Sequence, residues 1–119
     1  MDRIVVAPAG APPLAHFSPG IRSGGLLFVA GQTAHEVPGF EAQTRAVLEK
    51  IGAILRAGGS EYRHVLRCGV YLADIRQFQA MNEIYAQYFA KEPPARTTIE
   101  CKMARPEILI EIDCVAAVP

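Results

Sequence analysis

The 119-residue sequence has no excess of either charge, with 12 Lys and Arg against 12 Asp and Glu. Nucleic-acid binders draw most of their affinity from clustered basic side chains that neutralise phosphates. Here the basic residues are scattered without a run, so no nucleic-acid partner is expected. No apolar stretch approaches the roughly 18 residues that a membrane span needs. Cysteine is scarce: Cys68, Cys101 and Cys114 are odd in number and show no C-x-x-C spacing. Cys68 and Cys114 lie in apolar, strand-like runs, which reads as buried thiols in a reducing compartment. The start, Met1-Asp2-Arg3-Ile4-Val5-Val6, runs straight toward Pro8 and lacks a signal-peptide pattern, so a cytoplasmic protein is expected. The three histidines, His16, His35 and His64, are too dispersed to suggest a metal site. The glycine fingerprints of nucleotide sites, the H-E-x-x-H metal motif and the G-x-S-x-G nucleophile turn are all missing.

What is present is a globular composition, 50% hydrophobic and 20% charged. It predicts a single domain over residues 1–119. A domain this small buries only about two-thirds of its unfolded surface, so assembly is a natural way to bury more. Residues 7–20, rich in Pro, Ala and Gly, read as irregular extended chain, and Ser23-Gly24-Gly25 as a turn. Leu26–Ala30 reads as a short buried strand. Val47, Leu48, Ile51, Ile54 and Leu55 recur at helical spacing before Gly58-Gly59, which predicts a helix over about 41–57. Val65–Leu72 is a strand whose Gly69 marks a bulge or a close backbone approach. Asp74 is a helix cap. Ile75, Phe78, Asn82, Tyr85 and Phe89 form one stripe of a second helix that ends before Pro93-Pro94. Thr97–Cys101 and Ile108–Val115 are strands; in the latter Ile108, Ile110, Ile112 and Cys114 alternate with a face carrying Glu111 and Asp113. Two amphipathic helices among several strands make an α+β layer fold with both helices on one face of the sheet. The other face then needs cover, which copies of the same chain would supply.

Three positions carry candidate chemistry. Arg96 follows Pro93-Pro94-Ala95, so a stiff backbone presents its guanidinium at the start of a strand. Such a fork suits a carboxylate or phosphate, though a surface Arg at a strand end would look the same. Glu111 sits in an apolar strand, where a carboxylate pairs with a cation, does proton work, or is simply solvated beside Asp113. If residues 96–101 and 108–115 paired as a hairpin about Met103–Ala104, Arg96 would lie opposite Glu111. Asn82 in its apolar stripe calls for a buried hydrogen-bond partner. Gln32 and Thr44 suit local backbone bonds. Phe17 is a core plug or a pocket wall. Strand parity puts Thr98, and not Cys101, on the face of Arg96.

At these positions the sequence resembles the RidA family (YjgF, L-PSP) over nearly its whole length. Leu27-Phe28-Val29-Ala30-Gly31-Gln32, Gln43-Thr44, Met81-Asn82-Glu83-Ile84-Tyr85 with Phe89, Pro94-Ala95-Arg96 and Ile110-Glu111-Ile112 match family motifs in order. Pro12-Pro13-Leu14-Ala15, Pro19-Gly20 and Asn82–Ala86 are similar to the family's aminoacrylate-processing members. The resemblance implies a chorismate-mutase-like α+β subunit, a homotrimer with sites in the clefts between subunits, and no cofactor. It implies a deaminase that hydrolyses 2-enamine and 2-imine acids to 2-keto acids and ammonia. Arg96 would bind the substrate carboxylate and Glu111 position the water. Phe17, Ala30, Gly31, Asn82 and Thr98 would complete the substrate site. Three positions depart from the usual pattern: Phe17 stands where members carry Tyr, Ala30 where they carry Ser, and Thr98 where many carry Cys. The lost hydroxyls make the pocket more apolar. They favour, as an alternative, a non-catalytic trimer that binds small carboxylates. A ribonuclease or translation-inhibitor role is a further alternative, opposed by the absent net charge.

Overall fold

The computed structural model describes residues 2–11 and 16–119 of the chain. Its strands are β1 (Ile4–Val6), β2 (Gly20–Ser23), β3 (Leu26–Gln32), β4 (Val65–Leu72), β5 (Ala95–Glu100) and β6 (Ile110–Ala117). Its helices are α1 (Phe40–Ala57) and α2 (Phe78–Tyr88). The strands form one sheet in the order β1-β2-β3-β6-β4-β5. All neighbours are antiparallel except β4 and β5. That parallel pair is joined through α2, as parallel neighbours need a crossover and not a tight turn.

Most of the expected elements form as their patterns predict. α1 buries Val47, Leu48, Ile51, Ile54 and Leu55 against the sheet. Gly24 and Gly25, with φ of 55° and 79°, make the two-residue turn between β2 and β3, a conformation that residues with a Cβ resist. β6 alternates buried and half-buried side chains throughout, so Ile110, Ile112 and Cys114 face the helices. It begins two residues later than its period suggests, because Ile108 is buried outside the strand. The N-terminal half holds two strands that the Pro- and Gly-rich composition conceals, β1 and β2, paired Val5 to Ile21. Pro12-Pro13-Leu14-Ala15 lies outside the described residues.

Two expectations are corrected. β5 and β6 are not a hairpin: β4 lies between them. Arg96 is in register with Cys68, whereas Glu111 is in register with Tyr71. β4 is the strand with Cys68, Val70 and Leu72 all fully buried, and seating it centrally gives both its edges backbone partners. The stripe of α2 is also rotated. The helix buries Met81, Ile84 and Tyr85, while Ile75 and Phe78 stay exposed. A 3₁₀ turn at Ile75–Gln77, capped by Asp74 accepting from the Arg76 amide at 2.9 Å, precedes the helix. It advances about 120° per residue instead of 100°, which shifts the phase of the stripe.

Both helices cover one face of the sheet, over Leu27, Val29, Cys68, Val70, Ile110 and Ile112. The opposite face is open. Val5, Leu26, Phe28 and Ile99 stand on it at 57%, 36%, 46% and 45% exposure.

Candidate active site

Arg96 leaves the edge strand β5 on the helix side of the sheet. Its guanidinium carbon lies 4.8 Å from the centre of the Tyr85 ring and 5.6 Å from that of Phe78. A nitrogen reaches Met81 Sδ at 3.8 Å. Phe78 and Tyr85 are seven residues apart on α2, two helical turns, so both rings meet one cation. Each such contact is worth about 0.5–2 kcal/mol depending on exposure. No carboxylate pairs with Arg96 among the described residues. The guanidinium is therefore held by rings, with hydrogen-bond donors to spare. It borders a groove of about 540 Å³ walled by Asn82, Tyr85, Phe89, Pro93 and Pro94. Asn82 is half-buried on this wall and not in the core, which corrects the buried role expected for it.

Thr98 lies two residues along the same face as Arg96. Its hydroxyl oxygen is buried without a hydrogen-bond partner, and so is that of Tyr85. Burial pushes the Tyr85 phenol far up, so it stays protonated and can only donate or accept as a neutral group.

Glu111 stands on the other, open face. It leans over β3, where a methyl group at Gly31 would run into its carboxylate. A register shift between Val29 and Gln32 places Ala30 and Gly31 at a bulge, and the Ala30 amide donates to the Pro19 carbonyl at 2.9 Å. Burial, and then the neighbouring Asp113 charge, raise the Glu111 carboxyl above the usual carboxylate range. Asp113 leans the other way, over β4. It accepts from the Tyr71 hydroxyl at 2.9 Å and from the Gly69 amide at 3.1 Å.

The sequence-predicted residues thus fall into two groups. Arg96, Asn82 and Thr98 gather on the helix side of β5; Glu111, Ala30 and Gly31 gather on the open side of β3 and β6. Phe17 stands apart, 54% exposed in a groove with Arg3 and Ile21. Within the chain the sheet itself separates Arg96 from Glu111. The two aromatic rings around Arg96 escaped the sequence reading, although their seven-residue spacing was there to see. Tyr71 and Asp113 escaped it too, because their pairing depends on which strands are neighbours.

Cys68 and Cys114 are buried in register with each other, and burial pushes both thiols up, away from nucleophilic use. Cys101 is half-buried. Among the described residues no group of three His, Cys, Asp or Glu could hold a metal ion. Nor, among the described residues, is any helix long and apolar enough to cross a membrane.

Comparison with known proteins bears on this arrangement. The family model described as Endoribonuclease L-PSP matches residues 8–118. RutC family proteins of Pyrococcus horikoshii and Saccharolobus solfataricus are each 38% identical over 123 residues, covering 98% of this chain and 98% of theirs. Among solved structures, a member of the YjgF/YER057c/UK114 family from Mycobacterium tuberculosis superimposes with a TM-score of 0.89 at 31% identity, over 98% of this chain and all of that one.

Proposed function

The chain belongs to the YjgF/L-PSP/Rid family, and from that premise we propose that it hydrolyses 2-enamine and 2-imine carboxylic acids, such as 2-aminoacrylate, to 2-keto acids and ammonia. The observation that carries the reading is Arg96, a guanidinium fixed by two aromatic rings with no carboxylate of its own. It binds the substrate carboxylate through a two-point pair and so fixes the reacting carbon. The enamine tautomerises to the imine, whose protonated form is electrophilic. Glu111, raised in basicity, orients a water molecule and takes its proton as the oxygen adds to C2. The carbinolamine then collapses, and ammonia leaves. The imine is activated already, so two side chains suffice for the chemistry.

Arg96 and Glu111 lie on opposite faces of the sheet, so a site that uses both takes them from two copies. A homotrimer, with its apolar open faces turned inward, meets that need and buries Phe28, Leu26 and Val5. The small-molecule substrate would lie in the cleft between copies. Phe17 and Ala30 supply no hydroxyl there, which suits substrates with apolar side chains. Thr98, with a buried and unpaired hydroxyl, supplies one.

The test is an imine-hydrolysis assay. An amino-acid oxidase or a dehydratase generates the 2-imino acid in the presence of semicarbazide, and wild type is compared with Arg96→Ala. Faster loss of imine with wild type alone supports the deaminase. A melting shift with small carboxylates, without turnover, would favour the non-catalytic binding module instead. The description of the family model raises a second reading, an endoribonuclease. Zero net charge, and two half-buried carboxylates at successive positions of the open face, weigh against a polyphosphate substrate there. RNA cleavage that travels with the pure protein and vanishes in Arg96→Ala would reverse that judgement.

A further inference from the structure

On the open face, Glu111 and Asp113 occupy successive outward positions of β6, where like charges would ordinarily repel and share protons. The structure draws them apart. Glu111 leans over β3 into the space left by Gly31. Asp113 is drawn over β4 by two donors, the Tyr71 hydroxyl at 2.9 Å and the Gly69 amide at 3.1 Å. Gly69 is needed for this: a methyl group there would sit 2.6 Å from Asp113 Oδ1 and 2.8 Å from the Tyr71 hydroxyl. Tyr71 is itself opposite Glu111 in the β4–β6 register. Its phenol is raised first by the hydrogen bond to Asp113, so it stays a donor across the working range of pH. Tyr71, Asp113 and Glu111 border one cavity of about 240 Å³, which Cys101 and Lys102 also line.

We propose that Asp113, pinned by Tyr71 and Gly69, is a positioning residue that keeps Glu111 free of hydrogen-bond partners and makes it a stronger base. The proposal rests on the reading of Glu111 as the base for water addition. Asp113 does not touch the water or the substrate. It acts through its fixed negative charge, which opposes ionisation of Glu111, and through its orientation, which stops the two carboxyls from sharing a proton. The other groups facing Glu111 are few. β3 contributes no titratable side chain at Ala30, Gly31 or Gln32; β4 contributes Tyr71 and, further along, Arg67; the loop after β5 contributes Cys101 and Lys102. None of these is a carboxylate, which leaves Asp113 as the anion beside Glu111. The sign follows. Without the Asp113 charge, Glu111 should ionise at lower pH and be a weaker base. Without the Tyr71 hydroxyl, the Asp113 charge is less compensated, and Glu111 should ionise at higher pH.

The experiment titrates the Glu111 side-chain carboxyl carbon by NMR in the full-length protein, in wild type, Asp113→Asn and Tyr71→Phe, alongside the pH profile of kcat/KM for imine hydrolysis. Asp113→Asn keeps an acceptor oxygen for the Gly69 amide, and its amide nitrogen can donate to the Tyr71 oxygen in place of the bond that Asp113 accepts, so the sheet register is preserved. We expect its Glu111 midpoint to fall by about half a unit or more, the size of a like-charge effect at a partly exposed site. The acid limb of kcat/KM should fall with it, and the plateau should drop several-fold, part of the roughly 10²–10⁴ that a general base supplies. Tyr71→Phe should move the midpoint and the limb the opposite way. A purely structural role would move neither midpoint, and an unmoved Glu111 midpoint in both variants overturns the proposal. That outcome differs from failure of the deaminase reading itself, in which wild type has no activity or Glu111→Gln keeps it.

Discussion

Arg96 shows how a charged side chain can be held in place without an ionic partner among the described residues. Pro93-Pro94 stiffen the approach, and Phe78, Tyr85 and Met81 hold the guanidinium from below. Replacing it by Ala should lower kcat/KM on the order of a hundredfold or more, the worth of a charged two-point pair. Arg96→Lys should recover little, since an ammonium reproduces neither the fork nor the stacking. Steady-state kinetics with the trapped imine checks both. Gly31 is read from space: Gly31→Ala should displace the Glu111 carboxylate, lowering kcat more than it raises KM. Glu111 itself carries a linkage prediction. Its folded-state carboxyl is raised, so between the ordinary and the raised value the folded state binds the extra proton, and stability falls as pH rises through that window. Above it the ionised carboxylate costs stability. Glu111→Gln should therefore melt no lower than wild type at neutral pH, and relatively higher there than at acid pH, while losing activity. A lower melting temperature at neutral pH would show that the carboxylate is structural. At this scale the shared strand face of Arg96 and Thr98 was legible, because strand period is a local property. The environment that makes Arg96 useful was not, since it belongs to another element.

Elements were legible where periodicity runs long. α1, β4 and β6 appear close to where their patterns place them, and the alternation of β6 sorts its side chains correctly between faces. β1 and β2 were hidden because short strands among prolines and glycines show no period. The order of strands was hidden as well. Parity fixes which face a residue takes but not which strand is its neighbour, so the β5–β6 hairpin was a plausible error. Gln43 explains part of what holds the true arrangement. Fully buried, it donates to the Val37 and Glu107 carbonyls, each at 2.9 Å, and accepts from the Leu109 amide at 3.0 Å. It thereby ties α1 to the chain that enters β6. Gln43→Leu would leave these three backbone groups unpaired, and we expect a loss of about 2–4 kcal/mol. A lower denaturant midpoint at an unchanged slope would report it. A change within experimental error would mean that the β6 entrance is held elsewhere.

The whole molecule is a half-covered sheet. One face is sealed by α1 and α2, and the other bears Val5, Leu26, Phe28 and Ile99. The uncovered face was legible from two amphipathic helices beside a single sheet. The division of Arg96 and Glu111 between opposite faces was not, because it follows from the strand order. That division makes assembly part of the catalytic account. The particle in solution should weigh three times the 12.9 kDa chain, and Phe28→Asp should break it down and abolish activity together. The most direct test is complementation between two dead variants. Arg96→Ala and Glu111→Gln trimers are each prepared, unfolded together, refolded as mixtures and assayed for imine hydrolysis. If each site takes Arg96 from one copy and Glu111 from the next, random mixing should restore about a quarter of wild-type activity. If mixed trimers form and stay as inactive as their parents, the two residues do not meet across a subunit boundary, and the account of the site is wrong.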